Sequence, residues 1–318
     1  MFNRYYYDHL TDEQTALLEP MYWSTVLAGG VHHHTKGAFS GRVMWADMIR
    51  RSPELLFRGW APSPIPEEIP RHANVCQAKR HGITVSHRFG DLVRQNVETH
   101  GPDHTLACIA VDTKWHRTLI EEAVEAGARF IWCDKPLVVG MEDYAALLRL
   151  CQAKPNVRVF VAQNHRFCSA ALLLRHRAQE ALKKKKKVQV RSGFWQAWLL
   201  GDQESVQAVG RLNDIRCTLS DLGAHCFDLI EFILGLEALV LKKGTGLHGL
   251  LEKFPEVFTG GTCELAFADA NANGSIDVNQ CKKDALMDDL WTWLKIDGEK
   301  DLLWRMGWNG GDSVFAAR

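Results

Sequence analysis

Short apolar runs alternate with segments of helical apolar spacing through the first half of the chain, and this alternation predicts βαβ units. Ser24–Ala28 reads as a first core strand that breaks at Gly29-Gly30, and Leu55–Trp60 as a second. The Pro-rich stretch Pro62–Pro66 interrupts regular structure after it. Leu106–Val111 is a continuous apolar run, the pattern of a parallel strand covered on both faces. Thr118–Ala126 has helical spacing, with Gly127 placed to follow the helix end. Ala128–Trp132 returns to strand, Glu142–Ala153 to an amphipathic helix, and Val157–Val161 to strand. Further helices are expected near Thr11–Gln14, which resembles a capping box, and over Gly41–Arg51.

Beyond about residue 188 the period changes. Val188–Trp195, Thr262–Phe267, Gly274–Asn279 and Trp291–Ile296 read as strands with few helices between them, which predicts a mainly antiparallel sheet open on one face. Phe227–Leu234 has helical spacing and stops at Gly235, so 221–235 is expected as a helix on that sheet. The fold class that follows is an α/β domain with a doubly wound parallel sheet over 1–165, then an α+β domain over 166–318.

With 318 residues, 46% of them hydrophobic, the chain can fill one or two cores. No apolar stretch approaches the ~18–20 residues that span a bilayer. The segment from Met1 to His9 lacks the apolar core of a signal peptide. Nine cysteines without metal-type pairing fit free thiols in a reducing compartment, so a cytoplasmic protein is expected. The 38 basic and 38 acidic side chains cancel, leaving no overall field to draw nucleic acid or anionic membrane. Neither is expected as a partner. Lys183–Lys187 departs from this balance; it follows the amphipathic segment Ala170–Leu182, and a helix C-terminus favours cations. A polyanion site is the other reading of that run.

Candidate chemistry is concentrated in two segments. Cys133-Asp134-Lys135-Pro136 follows a strand, and Asp221-Leu222-Gly223-Ala224-His225 precedes a helix. A lysine from one domain and a histidine from the other, converging on one substrate hydroxyl, would provide proton transfer. Histidine's ordinary pKa of about 6.5 suits it to accept a proton near neutrality, while lysine, at about 10.4, suits stabilisation of an alkoxide. Each segment also has a plainer reading: Lys-Pro after a strand makes an ordinary turn, and Asp221 suits the N-cap of the following helix.

In order and spacing, these pieces resemble the glucose-fructose oxidoreductase/inositol dehydrogenase family of nicotinamide-dependent sugar and cyclitol oxidoreductases, from about Ser24 to Trp304. The family's Glu-Lys-Pro signature appears as Asp134-Lys135-Pro136, and its Asp-x-Gly-x-His signature is intact at Asp221–His225. Gly274–Gln280 and Gly298–Trp304 are similar to its C-terminal strand and turn. The resemblance implies a Rossmann domain followed by a substrate-binding domain that often forms the oligomer interface, hence a homo-oligomer, dimer or tetramer. It implies NAD or NADP as cofactor and a secondary hydroxyl of a sugar, sugar derivative or cyclitol as substrate. Lys135 would then lie near the nicotinamide, and His225 would be the general acid/base. Asp221 would hold substrate or orient the histidine. Asn164, with His165 beside it, would offer a polar group to the same site.

Dinucleotide sites use Gly-x-Gly-x-x-Gly for a tight turn and close approach of the pyrophosphate. Here Ala28–Gly37 keeps Gly29 and Gly30 but places His32, His33 and His34 in the phosphate-facing turn. Adjacent side chains of an extended segment diverge, so these histidines do not close a metal site and no metal is expected. The second strand ends in Trp60-Ala61-Pro62-Ser63, without the carboxylate that grips an adenosine ribose, which leaves NAD and NADP both open. The family's Thr-Pro-x-x-x-His loop becomes Val111–His116, so Asp112, Thr113 and His116 join Asp134 as expected cofactor neighbours. The altered glycine loop supports a second reading, a catalytically silent sugar- or nucleotide-sensing protein. Family members usually continue past the Trp304 region, whereas this chain stops at Arg318, so exposed apolar surface or altered assembly is the expectation there.

Overall fold

The computed structural model describes residues 23–29, 55–62, 83–86, 88–111, 113–138, 140–196, 222–236, 238–247, 259–279, 289–307 and 313–317. The helices expected near 11–14 and over 41–51 lie outside them, as do Gly30, His32, His33, Asp112 and Asp221. Two compact units divide the chain, Met1–Ala162 and Gln163–Arg318, slightly ahead of the expected boundary at residue 165. Ala162 still donates its N–H to the Cys133 carbonyl at the end of the first sheet. Among the described residues, no helix is long and apolar enough to cross a membrane.

Unit 1 contains β1 (Trp23–Gly29), β2 (Leu55–Pro62), β3 (Thr84–Val85), α1 (Phe89–His100), β4 (Thr105–Ala110), α2 (His116–Glu125), β5 (Phe130–Cys133), α3 (Met141–Ala153) and β6 (Arg158–Val161). The strands form one sheet in the order β3-β2-β1-β4-β5-β6, and every pairing is parallel. Central β4 is buried at Ala107, Cys108, Ile109 and Ala110, as an apolar strand covered on both faces should be. Sequence periodicity did not single out α1, although its buried Phe89, Leu92, Val93 and Asn96 follow helical spacing. Ile120, Ala123 and Val124 of α2 complete that core. Gly127 follows α2 with φ of 93°, a conformation that a side chain would strain.

Unit 2 contains α4 (Ser169–Lys183), β7 (Val188–Trp195), α5 (Ala224–Leu234), β8 (Ala238–Leu247), β9 (Gly260–Phe267), β10 (Ala272–Asn279), β11 (Asp289–Ile296), β12 (Leu302–Gly307) and β13 (Ser313–Ala317). Their sheet runs β13-β12-β11-β7-β10-β9-β8. Only the central β7–β10 pair is parallel among these described strands. Along β7, Val188, Val190, Ser192 and Phe194 are buried while Gln189 and Arg191 are exposed, the period-two pattern of a sheet with one open face. The covered face packs on α5 through Cys226, Leu229, Ile230, Ile233 and Leu234. Five consecutive lysines begin at the last residue of α4, as the macrodipole favours. Lys183 pairs with Glu180 at 2.7 Å, and Lys186 with Glu299 at 2.8 Å.

On the open face, β7 and β11 approach through a glycine. Opposite Gly193 lies Trp291, and a Cβ at Gly193 would fall inside the van der Waals envelope of that indole. Replacing Gly193 with Ala should therefore cost about 1–3 kcal/mol of unfolding free energy through overpacking. Urea denaturation of Gly193→Ala, Trp291→Ala and the double variant checks this. The double variant is expected to recover part of the loss, the coupling of residues that touch.

Candidate functional site

Within unit 1, the expected residues gather where the parallel strands end. Gly29 is the last residue of β1, Thr113 opens a 3-10 turn (Thr113–Trp115) just past β4, and Asp134 and Lys135 follow β5. The loop carrying Lys135 is held at several points. The Asp134 N–H donates to the Ile109 carbonyl at 2.8 Å, and its carboxylate accepts the Lys135 N–H at 2.8 Å. The Lys135–Pro136 peptide bond is cis. His116 is fully buried at the start of α2. Its Nδ1 lies 2.9 Å from the Pro136 carbonyl oxygen and 3.2 Å from that of Leu137, and its Nε2 lies 3.0 Å from that of Val111. The imidazole thus bridges the loop after β4 to the loop after β5. In this arrangement Nδ1 faces Lys135's neighbours and Nε2 faces the loop after β4.

Two thiols lie beneath this edge. Burial pushes the Cys108 thiol up to about 12, and burial, reinforced by the Asp134 carboxylate, drives Cys133 upward as well. Both therefore stay protonated near neutrality, which removes thiolate nucleophiles from the chemistry available here.

In unit 2, a 3-10 turn (Asn164–Phe167) and the start of α5 come together. Asn164 opens the turn and is exposed, while His165 and Arg166 are half-buried. The Arg166 Nε donates to both carboxylate oxygens of Asp228, at 2.8 and 2.7 Å, and its Nη2 also bonds Oδ1. The guanidinium lies over the Phe232 ring, 5.6 Å from its centroid. His225, in the first turn of α5, packs edge-on against His165 with ring centroids 4.7 Å apart and planes at 76°. Phe194 of β7 flanks His225 at 5.7 Å. The sequence pointed to His225 and Asn164 but not to the Arg166–Asp228 tie. Its only trace is that Asp228 and His225 are three positions apart, on one helix face.

Burial pushes the Asp228 carboxyl above its ordinary range, and the Arg166 hydrogen bonds pull it partly back. A carboxyl raised in this way weakens the folded state at neutral pH, where it is ionised, and the penalty is relieved as pH falls through its folded-state pKa. Replacing Arg166 with Gln removes the offset. The variant should lose about 1–3 kcal/mol at pH 7.5, less than for a fully buried pair because Arg166 is partly exposed. The gap to wild type should narrow as pH is lowered toward the carboxylate range, where a protonated Asp228 needs no counter-charge. Urea denaturation at a series of pH values measures this; a gap that stays constant or widens would refute it.

The sequence matches no protein-family model and no curated protein. Its fold, however, is similar to solved structures. An oxidoreductase domain protein from Kribbella flavida matches with a TM-score of 0.67 at 16% identity, over 94% of this chain and 80% of that one. Myo-inositol 2-dehydrogenase from Lactobacillus plantarum matches at 0.64 and 14% identity, over 90% and 77%. An oxidoreductase from Agrobacterium radiobacter, solved in complex with NAD+, L-tartaric acid and magnesium, matches at 0.61 and 17% identity, over 92% and 79%. These likenesses establish the fold: an all-parallel doubly wound sheet followed by an α+β unit with an open, mainly antiparallel sheet.

Proposed function

We propose that the protein is an NAD(P)-dependent oxidoreductase of the glucose-fructose oxidoreductase/inositol dehydrogenase family, acting on a secondary hydroxyl of a sugar, sugar derivative or cyclitol. The strand order of unit 1 carries the reading, because it changes direction between β1 and β4. Open α/β sheets bind ligands outside the carboxyl ends of their strands, at such a switch point. Gly29, Thr113 and Lys135 all lie on that edge. Ala28 pairs with Ala61 and Gly29 with Pro62, small residues that suit close approach of a pyrophosphate, and none of the described residues of β2 is a carboxylate that would oppose a 2′-phosphate.

Bound there, NAD or NADP supplies the hydride acceptor. Gly29, Gly30, His32 and His33 would face the phosphates, with Asp112, Thr113 and Asp134 lining the cleft and His116 bracing it. On the substrate side, His225 takes the hydroxyl proton, and the Lys135 ammonium stabilises the alkoxide as the carbon gives up its hydride. Asp221 and Asn164 hold neighbouring hydroxyls. The reaction leaves a ketone.

The same reading includes a homo-oligomer, dimer or tetramer, with a second copy against the open face of the unit 2 sheet. Arg191 and Lys295 on β7 and β11 share the open face with Glu264 and Asp277 on β9 and β10, which supports a self-complementary pairing. The free thiols Cys108 and Cys133 fit a cytoplasmic setting.

Purified protein should be protected from thermal unfolding by NAD+ or NADP+ and should reduce one of them with a member of a sugar and cyclitol panel. Lys135→Ala and His225→Ala should each lower kcat by about 10²–10⁴-fold, the usual size of a proton-transfer contribution. Absence of wild-type turnover, or turnover unchanged in both variants, would sink the assignment. Cofactor protection without turnover would identify a silent sensor.

A further inference from the structure

We infer that the side-chain amide of Gln163 holds the nicotinamide by its carboxamide: Oε1 accepts a hydrogen bond from the carboxamide N–H2, and the protein thereby tells nicotinamide nucleotides from analogues without that donor. The inference rests on the cofactor half of the dehydrogenase reading and is independent of turnover.

Gln163 carries an unmet acceptor. Its Oε1 is closed off from solvent yet accepts no hydrogen bond, although the Gln163 main-chain carbonyl is served by the Arg166 N–H at 3.3 Å. Buried side-chain oxygens are nearly always paired, and an unmet one carries a desolvation penalty that a fitting donor removes. The indole N–H groups of Trp291 and Trp304 are also buried and unmet, but they are donors set within strands of the unit 2 sheet.

Chain position gives the acceptor its place. β5 ends at Cys133 and β6 at Val161, and these two residues pair in register. Ala162 extends the ladder by donating to the Cys133 carbonyl at 2.8 Å. Lys135 is thus the second residue past β5 and Gln163 the second past β6, both leaving the carboxyl edge of the parallel sheet. A dinucleotide lies across such an edge with one mononucleotide on each side of the switch point. The turn after β1 and the end of β2 take the pyrophosphate and the adenosine, which leaves the nicotinamide to the half built from β4, β5 and β6. The donor a nicotinamide ring presents is its carboxamide N–H2, and the unmet group at the end of β6 is an acceptor. The two are complementary.

Calorimetry on the full-length protein tests this with three ligands. They are NAD+ or NADP+, whichever binds more tightly; its acetylpyridine analogue, in which a methyl ketone replaces the carboxamide; and the corresponding ADP-ribose, which lacks the pyridine ring. Wild type should bind the nicotinamide nucleotide about tenfold more tightly than the acetylpyridine one, the worth of one hydrogen bond. Gln163→Met, close in size but without the oxygen, should bind both alike, with its ADP-ribose affinity unchanged. Gln163→Ala serves if the Met variant misfolds. Equal discrimination in wild type and variant overturns the inference and leaves the dehydrogenase reading standing. So does a wild type that binds both dinucleotides alike, the result of an amide turned to donate, since ketone and carboxamide share the carbonyl. Discrimination lost in the variant of a protein that turns nothing over supports the contact and refutes the dehydrogenase. A wild type that binds none of the three refutes the cofactor reading and the role of Gln163 with it.

Discussion

Helix α5 cannot leave its sheet without returning Cys226, Leu229, Ile230, Ile233 and Leu234 to water, at about 1.5–3 kcal/mol for each large side chain. That burial fixes the rotation of the helix about its axis. With one face committed to β7 and β10, His225 and Asp228 are carried on another, toward the turn at Asn164–Phe167. Gly235 then ends the helix in a left-handed conformation, φ 69°, so its length is set as well as its rotation. The chemistry attributed to His225 thus depends on an apolar interaction in which His225 takes no part.

Unit 1 applies a different constraint to its own residues. A parallel sheet gathers every strand's carboxyl end on one edge, so residues remote in sequence such as Gly29, Thr113 and Lys135 share an edge without any specific attraction between them. Specific polar bonds then act at short range. His116 lies within hydrogen-bond distance of three main-chain carbonyls of two loops, which fixes the path of the backbone around Lys135. A buried side chain engaged this way is costly to remove because the carbonyl to which its N–H donates would lose its partner.

What could be read in the sequence follows from the range of each interaction. Strands β1, β2, β4, β7 and β9–β11, and helices α2–α5, carry their burial in local periodicity, and the sequence places each within a residue or two at most boundaries. Helix α1 does not, because Asn96 occupies one of its four buried positions and breaks the apolar stripe. Strands β8, β12 and β13 escape notice for a related reason. They lie toward the margins of the sheet, and β8 includes the exposed run Lys243–Gly246, while β12 alternates buried Trp304 with the exposed Arg305 over only six residues.

The candidate site divides along the same line. Lys135 and His225 are legible because each sits in a short contiguous motif whose neighbours also shape the local backbone. The tie between Arg166 and Asp228 joins residues 62 positions apart, and nothing in either local pattern distinguishes them from surface charges. Only after α5 is rotated by its apolar face does Asp228 become nearly buried, and only then does a guanidinium beside it become necessary rather than incidental. His165 gains significance by the same route. As a residue next to Asn164 it is one polar side chain among several; once the turn is clamped to α5, its ring rests against that of His225. The polar and ring contacts between the turn and α5 are therefore consequences of core packing, and they become readable in the order in which the packing creates them.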